Sequence, residues 1–199
     1  DVTRRWQAPD TYIPILIGEL EAAGIRDEDI LILSATGTHR QQTEEEKIGL
    51  VTKAVYDRIQ VVDHVCTDQE NLAYVGTTSY GTPVWLDKRA LECDHIILTG
   101  GVVYHFMAGY GGGRKSILPG ICNAATVNEN HSYKAIADPH SVTGVLEGNP
   151  IHKDMVCAAR AVNVQFIMNV ALDGEKKVVA AWAGDLEEAH AAGVQFIRD

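Results

Sequence analysis

Ile30-Leu31-Ile32-Leu33, followed by Ser34-Ala35-Thr36-Gly37-Thr38-His39-Arg40, is the stretch on which the fold turns. Four consecutive aliphatic residues are too few for a helix and too uniformly apolar for a strand with one wet face, so they read as a buried parallel strand. Before them, Thr11 to Gly24 has helical spacing, with Ile13, Leu16, Ile17 and Leu20 on one side and Gly24 as the stop. After them, Thr43-Glu44-Glu45-Glu46 is a capping box, from which Ile48, Val51 and Val55 continue along one helical face. The unit is helix, strand, loop, helix.

The pattern recurs. Lys88 to Leu91 reads as a short helix and His95 to Leu98 as a second strand, and a glycine-rich loop follows. A helix is expected from about Asn123 to Ala137, with propensity lowered by Asn128 and Asn130. Asn149-Pro150 opens another, with Met155, Ala158, Ala159 and Val162 turned inward. Gln165 to Leu172 and Lys176 to Trp182 flank Asp173-Gly174, a hairpin signal, and Asp185 with Glu188 caps a last helix toward Phe196. These elements predict an α/β fold: a three-layer domain with a mainly parallel sheet and an antiparallel hairpin addition near the C-terminus. Residues 1–199 contain no internal repeat, low-complexity tract or interdomain linker, and read as one domain.

Composition narrows the function. At 199 residues and 46% hydrophobic content the chain can bury a sizeable core. Its net charge of −10, with few clustered cations besides Arg4-Arg5 and Arg114-Lys115, argues against a nucleic-acid surface and for a small-molecule partner. Cys66, Cys93, Cys122 and Cys157 are scattered with no CxxC pair, as expected of reduced thiols in a cytoplasmic protein. No apolar run approaches the length of a bilayer crossing, so no membrane partner is expected. The chain opens on Asp1-Val2-Thr3-Arg4, which reads as functional loop, so a fragment of a longer protein is expected.

In open α/β sheets ligands gather where strand-to-helix loops converge. Two loops leave predicted strands carrying a histidine: Ser34 to Arg40 with His39, and Thr99 to His105. Both histidines lack a packing reason to be there and read as acid/base groups or ligands. Between them in role lies Gly109-Tyr110-Gly111-Gly112-Gly113-Arg114-Lys115-Ser116. Arg114 stands where a P-loop has its second glycine, and Pro119-Gly120 interrupts the helix that should follow, which disfavours an NTPase. The same Arg spoils a dinucleotide fingerprint. An anion-holding loop is the expectation for Gly111, Gly112, Gly113 and Arg114. Lys115 could be a phosphate clamp, a salt-bridge partner or a covalent attachment point, with Arg114 as the cation that would depress its pKa. His131 could ligate a metal, and Arg4 could grip a carboxylate with a bidentate fork.

Together these residues resemble the nickel-dependent lactate racemase family, in its amino-terminal catalytic domain. The similarity runs through Asp-x-Thr-Arg at Asp1 to Arg4, Gly-Thr-His-Arg at Gly37 to Arg40, His105 through Gly120, His131, Gly-Asn-Pro-x-His at Gly148 to His152, and Ala-Gly-Asp at Ala183 to Asp185. The segment from His105 to Gly120 is the specific part; Gly-Thr-His-Arg alone would be weak. The resemblance implies a nickel-pincer nucleotide, a pyridinium mononucleotide with two sulfur-bearing arms, tethered to Lys115 and supplied by cofactor-biosynthesis proteins. Protein made without those enzymes is expected to lack it. It further implies His131 as the protein ligand to nickel, His39 and His105 as the acid/base pair, and Asp1 and Arg4 as residues that hold cofactor and substrate. Soft sulfur donors plus one imidazole suit square-planar nickel.

The activity so implied is inversion of carbon 2 of a 2-hydroxy acid: one histidine takes the hydroxyl proton, hydride moves to the cofactor, and hydride returns on either face of the 2-oxo acid. Two other readings stay open. One is a metal-dependent hydrolase using His39, His105 and His131, which lacks an obvious carboxylate base. The other is a non-catalytic nucleotide-binding module, which would need neither His39 nor His105.

Overall fold

The computed structural model describes residues 7–162 and 164–199. The roles expected of Asp1 and Arg4 fall outside these described residues. In chain order the elements are α1 (Pro9–Ala22), β1 (Leu31–Ser34), α2 (Glu44–Val51), α3 (Lys53–Tyr56), β2 (Gln60–Asp63), β3 (Leu72–Thr77), β4 (Pro83–Asp87), α4 (Lys88–Leu91) and β5 (Ile97–Gly101). There follow β6 (Tyr104–His105), β7 (Gly109–Tyr110), α5 (Ala124–Asn130), α6 (Tyr133–Ile136), α7 (Pro150–Ala161), β8 (Phe166–Leu172), β9 (Val178–Gly184) and α8 (Glu188–Arg198). A 3-10 turn at Gly113–Ser116 carries the end of the glycine-rich segment.

The fold is α/β, with parallel and antiparallel pairing. β1 lies parallel to β2, from Leu31 opposite Gln60 to Ser34 opposite Asp63. β5 lies parallel to β8, and β8 turns through Asp173-Gly174 into antiparallel β9, the hairpin addition expected near the C-terminus. The parallel layer is divided, because among the described residues no ladder joins β1 to β5. β3 with β4 and β6 with β7 form separate antiparallel pairs.

Alternation along β1 shows how helices cover both faces. Leu33 packs with Leu86, Leu98, Ile117, Ile121 and Met155, whereas Ile32 packs with Ile17, Leu50, Val51, Val55 and Ile59 beneath α1 and α2. The caps form as their sequences dictate. The Glu46 amide donates to Thr43 Oγ1 while the Thr43 amide donates to Glu46 Oε2, and the His152 amide donates to Asn149 Oδ1 at the start of α7. Asp185 Oδ1 accepts from the Glu187 and Glu188 amides ahead of α8.

The helix expected from Asn123 to Ala137 is two helices. α5 stops at Asn130, and α6 starts afresh after Ser132. At the break the Val127 carbonyl accepts the His131 backbone N–H, and the His131 ring adds a second bond to it, Nδ1–H donating at 3.0 Å. β2, β3 and β4 have no counterpart in the sequence reading.

Candidate active site

The loops that leave β1 and β5 meet over one cavity of about 680 Å³. His39, His105, Lys115 and His131, which are 92 residues apart along the chain at their extremes, all line it. Each is placed by its own local structure. The His39 loop is pinned by the Gly37 amide, which donates to the Gly120 carbonyl at 2.8 Å, with Gly37 at φ 60°. That left-handed conformation favours glycine. The His39 amide closes the turn on the Thr36 carbonyl.

His105 ends the short β6 strand and is buried. The Ala108 amide donates to its Nδ1 at 3.1 Å, which leaves Nε2 as the nitrogen turned to Lys115; the Nε2 to Nζ distance is 2.8 Å. Lys115 is steadied from behind: Ser116 Oγ donates to the Thr99 carbonyl of β5 at 2.9 Å, and the Gly120 amide donates to the Lys115 carbonyl. His131 has Nδ1 committed to Val127, so Nε2 is its available donor. Burial pushes its pKa down and the Lys115 cation adds to the effect, offset in part by the Val127 bond. A neutral imidazole with one nitrogen fixed by a backbone carbonyl is the metal-ligating form of histidine.

The glycine-rich segment works differently from the anion cradle expected of it. Two amides that would point at an anion are spent inside the protein: the Gly111 amide donates to the Val103 carbonyl at 2.7 Å, and the Gly113 amide to Asn169 Oδ1 at 2.8 Å. Gly111 and Gly112 line the cavity, while Gly113 is packed against Ile167 and Leu98. Gly112, at φ 129°, leaves no room for a β-carbon beside the His190 ring.

Arg114 is also turned from its expected role. It is 1% exposed, does not line the cavity, and faces away from Lys115 into the protein. Its Nε donates to His152 Nδ1 at 2.8 Å. Nη1 reaches the Gly111 carbonyl and His190 Nε2, and Nη2 donates to the Ala108 and Tyr110 carbonyls. Burial pulls the guanidinium below its ordinary value. Burial, and after it the Arg114 charge, holds the His152 and His190 rings down at about 3. One cation thus gathers three carbonyls of the loop that carries His105 and Lys115.

Asn149 completes this support, since its side-chain amide donates to the Met107 and Val145 carbonyls. His152 and His190 thus sit behind the loop as its support, and nothing in the sequence signals the part that Asn169 plays there. Among the described residues no group of three His, Cys, Asp or Glu side chains could hold a metal. His39, His105 and His131 therefore do not form the metal centre that a hydrolase would require.

The fold and the site define an α/β domain whose ligand cleft, at the carboxyl ends of its parallel strands, presents one amine and three imidazoles. The chain belongs to the lactate racemase N-terminal domain family, whose model matches residues 1–144. It is 41% identical to the lactate racemase of Lactiplantibacillus plantarum over 186 residues, and 38% identical to that of Thermoanaerobacterium thermosaccharolyticum over 187. Each match covers 94% of this chain and 44% of the relative, so the chain spans less than half the length of the curated relatives it matches. The apoprotein structure of the Thermoanaerobacterium lactate racemase superposes with a TM-score of 0.92 at 38% identity, covering 96% of this chain and 46% of that one. A Thermotoga maritima protein shares the fold at a TM-score of 0.83 and 22% identity, over 98% of this chain and 52% of its own.

Proposed function

We propose that this domain is the cofactor-bearing half of a 2-hydroxy-acid racemase or epimerase, with Lys115 the attachment point of a nickel-pincer nucleotide and His131 the protein ligand to its metal. The observation that carries the reading is the meeting of Lys115, His131, His105 and His39 in one cavity, with Lys115 Nζ 2.8 Å from His105 Nε2. The donor set fits such a group. It offers one amine for a covalent link and one neutral imidazole, and the absence of a three-residue protein cage among the described residues matches a metal whose other donors come from the nucleotide. When bound, that group supplies a hydride acceptor and donor.

The protein's own residues do the rest. His105 and His39 stand in separate loops, so each can serve one enantiomer by taking or returning the hydroxyl proton of the substrate. Gly111 and Gly112, having no side chains, keep the cavity wall next to Lys115 open for a flat ring. Arg4 grips the substrate carboxylate, and Asp1 helps hold the cofactor; cofactor-building enzymes are the partners that load Lys115.

The test is exchange of the hydrogen on carbon 2, followed by mass spectrometry in full-length protein produced with the cofactor-building enzymes. A panel of D- and L-2-hydroxy acids is expected to include at least one pair that interconverts without exchanging that hydrogen with solvent. Loss of interconversion in both directions on His131→Ala, His39→Ala or His105→Ala is expected, with His39→Ala and His105→Ala each keeping the oxidative half-reaction with one enantiomer only. Solvent deuterium entering carbon 2 at every turnover would point to simple proton abstraction and overturn the hydride route.

A further inference from the structure

His131 stands just past the end of α5, a helix of seven residues, which is too short to hold its own shape in water. What fixes the helix is a pair of buried polar side chains. Thr126, 0% exposed, fastens it to β4: Oγ1 donates to the Pro83 carbonyl at 2.7 Å and accepts from the Trp85 amide at 3.1 Å. Asn130, 2% exposed, fastens its last residue to α7: Nδ2 donates to Asp154 Oδ2 at 2.7 Å and reaches the Ile151 carbonyl at 3.4 Å.

Asp154 is itself locked in place. It is buried, with Thr78 Oγ1 donating to its Oδ1 at 2.5 Å and Thr82 Oγ1 to its Oδ2 at 2.8 Å, both from the turn between β3 and β4. A carboxylate taken out of water is costly unless donors surround it, and here they are two hydroxyls and an amide. The bonds from Asn130 and Thr82 converge on one oxygen, so the end of α5, α7 and the β3–β4 turn meet at a point. Helical geometry carries that point to the cavity. Thr126 and Asn130 are four residues apart and share one face of α5. Val127 and His131, displaced by one residue, share a face about 100° round the axis, and both line the cavity. With the first face tied to β4 and α7, the helix cannot roll and the second face keeps its aim.

We propose that Asn130 and Asp154 are positioning residues for His131: Asn130, anchored on the Asp154 carboxylate, fixes the roll of α5 and with it the direction in which His131 offers Nε2 to the cavity. This rests on His131 being the metal ligand. Neither Asn130 nor Asp154 lines the cavity, so each acts through the helix and not by touching cofactor or substrate. The His131 ring depends on the same helix end, because the Val127 carbonyl accepts both its backbone N–H and its Nδ1–H. A helix end that slips loses the bond that keeps hydrogen on Nδ1 and leaves Nε2 bare. An amide in place of the carboxylate can keep the pin. Asn130 Oδ1 is buried with no hydrogen-bond partner, so in Asp154→Asn a turn of the Asn130 amide lets that oxygen accept from the new side-chain N–H. That variant separates charge from position.

Two readouts on the full-length protein test the assignment. In protein without cofactor, at about pH 8 and so above the ordinary imidazole range, ring-nitrogen NMR of His131 is expected to show one tautomer, with hydrogen on Nδ1, in wild type and Asp154→Asn, and both tautomers in Asn130→Leu. In protein loaded by the cofactor-building enzymes, Asn130→Leu should keep the Lys115 adduct but lose nickel to a chelator on the order of 10-fold faster, with Asp154→Asn close to wild type. Leu186→Ala, which lowers stability from a buried core position without cutting the pin, should keep both signatures. If Asn130→Leu does not fold, Asn130→Ser, whose hydroxyl falls short of α7, takes its place. The proposal is overturned by a single tautomer in the Asn130 variant, by nickel loss as fast in Leu186→Ala, or by nickel loss as fast in Asp154→Asn. A wild type with neither adduct nor nickel would overturn the cofactor reading instead, and the tautomer measurement would still decide the positioning.

Discussion

Arg114 shows how one residue's surroundings decide its role. Beside Lys115 in sequence, it has the look of a phosphate clamp, yet its guanidinium points into the core and ties Ala108, Tyr110 and Gly111 to His152 and His190. Neighbours in a 3-10 turn diverge by about a third of a rotation, which sequence adjacency hides. Arg114→Met leaves buried carbonyls without donors, and a loss of about 3 kcal/mol in a urea titration is expected. Arg114→Lys should recover little of it, because an ammonium cannot reproduce the planar fork. Wild-type stability in both variants would show that the carbonyls find other donors.

The same cluster sets a pH dependence. His152 and His190 titrate at about 3 in the folded protein, against about 6.5 unfolded. Between those values the unfolded chain binds protons that the native state refuses, so stability rises with pH across that window. Asp87 adds a lower step. Burial alone would raise its carboxyl, but Arg89 and His64 hold it down at about 2, so its contribution is present above about 3.9 and lost as pH falls through 2. Urea midpoints are expected to be flat above about pH 6.5 and to fall steadily toward pH 3, and a His190→Gln variant should show a shallower acid limb.

At the scale of elements, local chemistry was legible where a side chain caps a helix or a glycine turns the chain. The Thr43 capping box, the Asn149 cap, the Lys88–Leu91 helix and the Asp173-Gly174 hairpin stand where their residues place them. Thr43→Ala should cost about 1 kcal/mol, read as a lowered thermal midpoint, and an unchanged midpoint would mean that the Arg40–Glu46 ion pair alone holds that end. The break at His131 was not legible, because no glycine or proline marks it. β3 and β4 were hidden for a different reason. Their connecting turn is held by Thr78 and Thr82 hydroxyls that donate to the buried Asp154 of α7, more than 70 residues away.

For the whole molecule, α/β class and the two strand-end loops follow from hydrophobic runs and their spacing, so His39 and His105 could be assigned to strand ends, and to one cleft on the condition that their strands were neighbours; the fold brings both to one cavity although no ladder joins β1 to β5 among the described residues. The division of the parallel layer among the described residues was not legible, since nothing in β1 or β5 says which strand it pairs with. Identity of the site rests on Lys115 and His131, which spacing alone left with several uses and which the fold brings to one cavity. No helix is long and apolar enough to cross a membrane among the described residues. The direct measurement is intact-mass and peptide-mapping spectrometry, with metal analysis, on full-length protein produced with and without the cofactor-building enzymes. The account predicts one nucleotide-sized adduct confined to Lys115, absent in Lys115→Ala, with nickel bound in step with the adduct and lost in His131→Ala. An adduct on another lysine, no adduct at all, or nickel retained without His131 would contradict it.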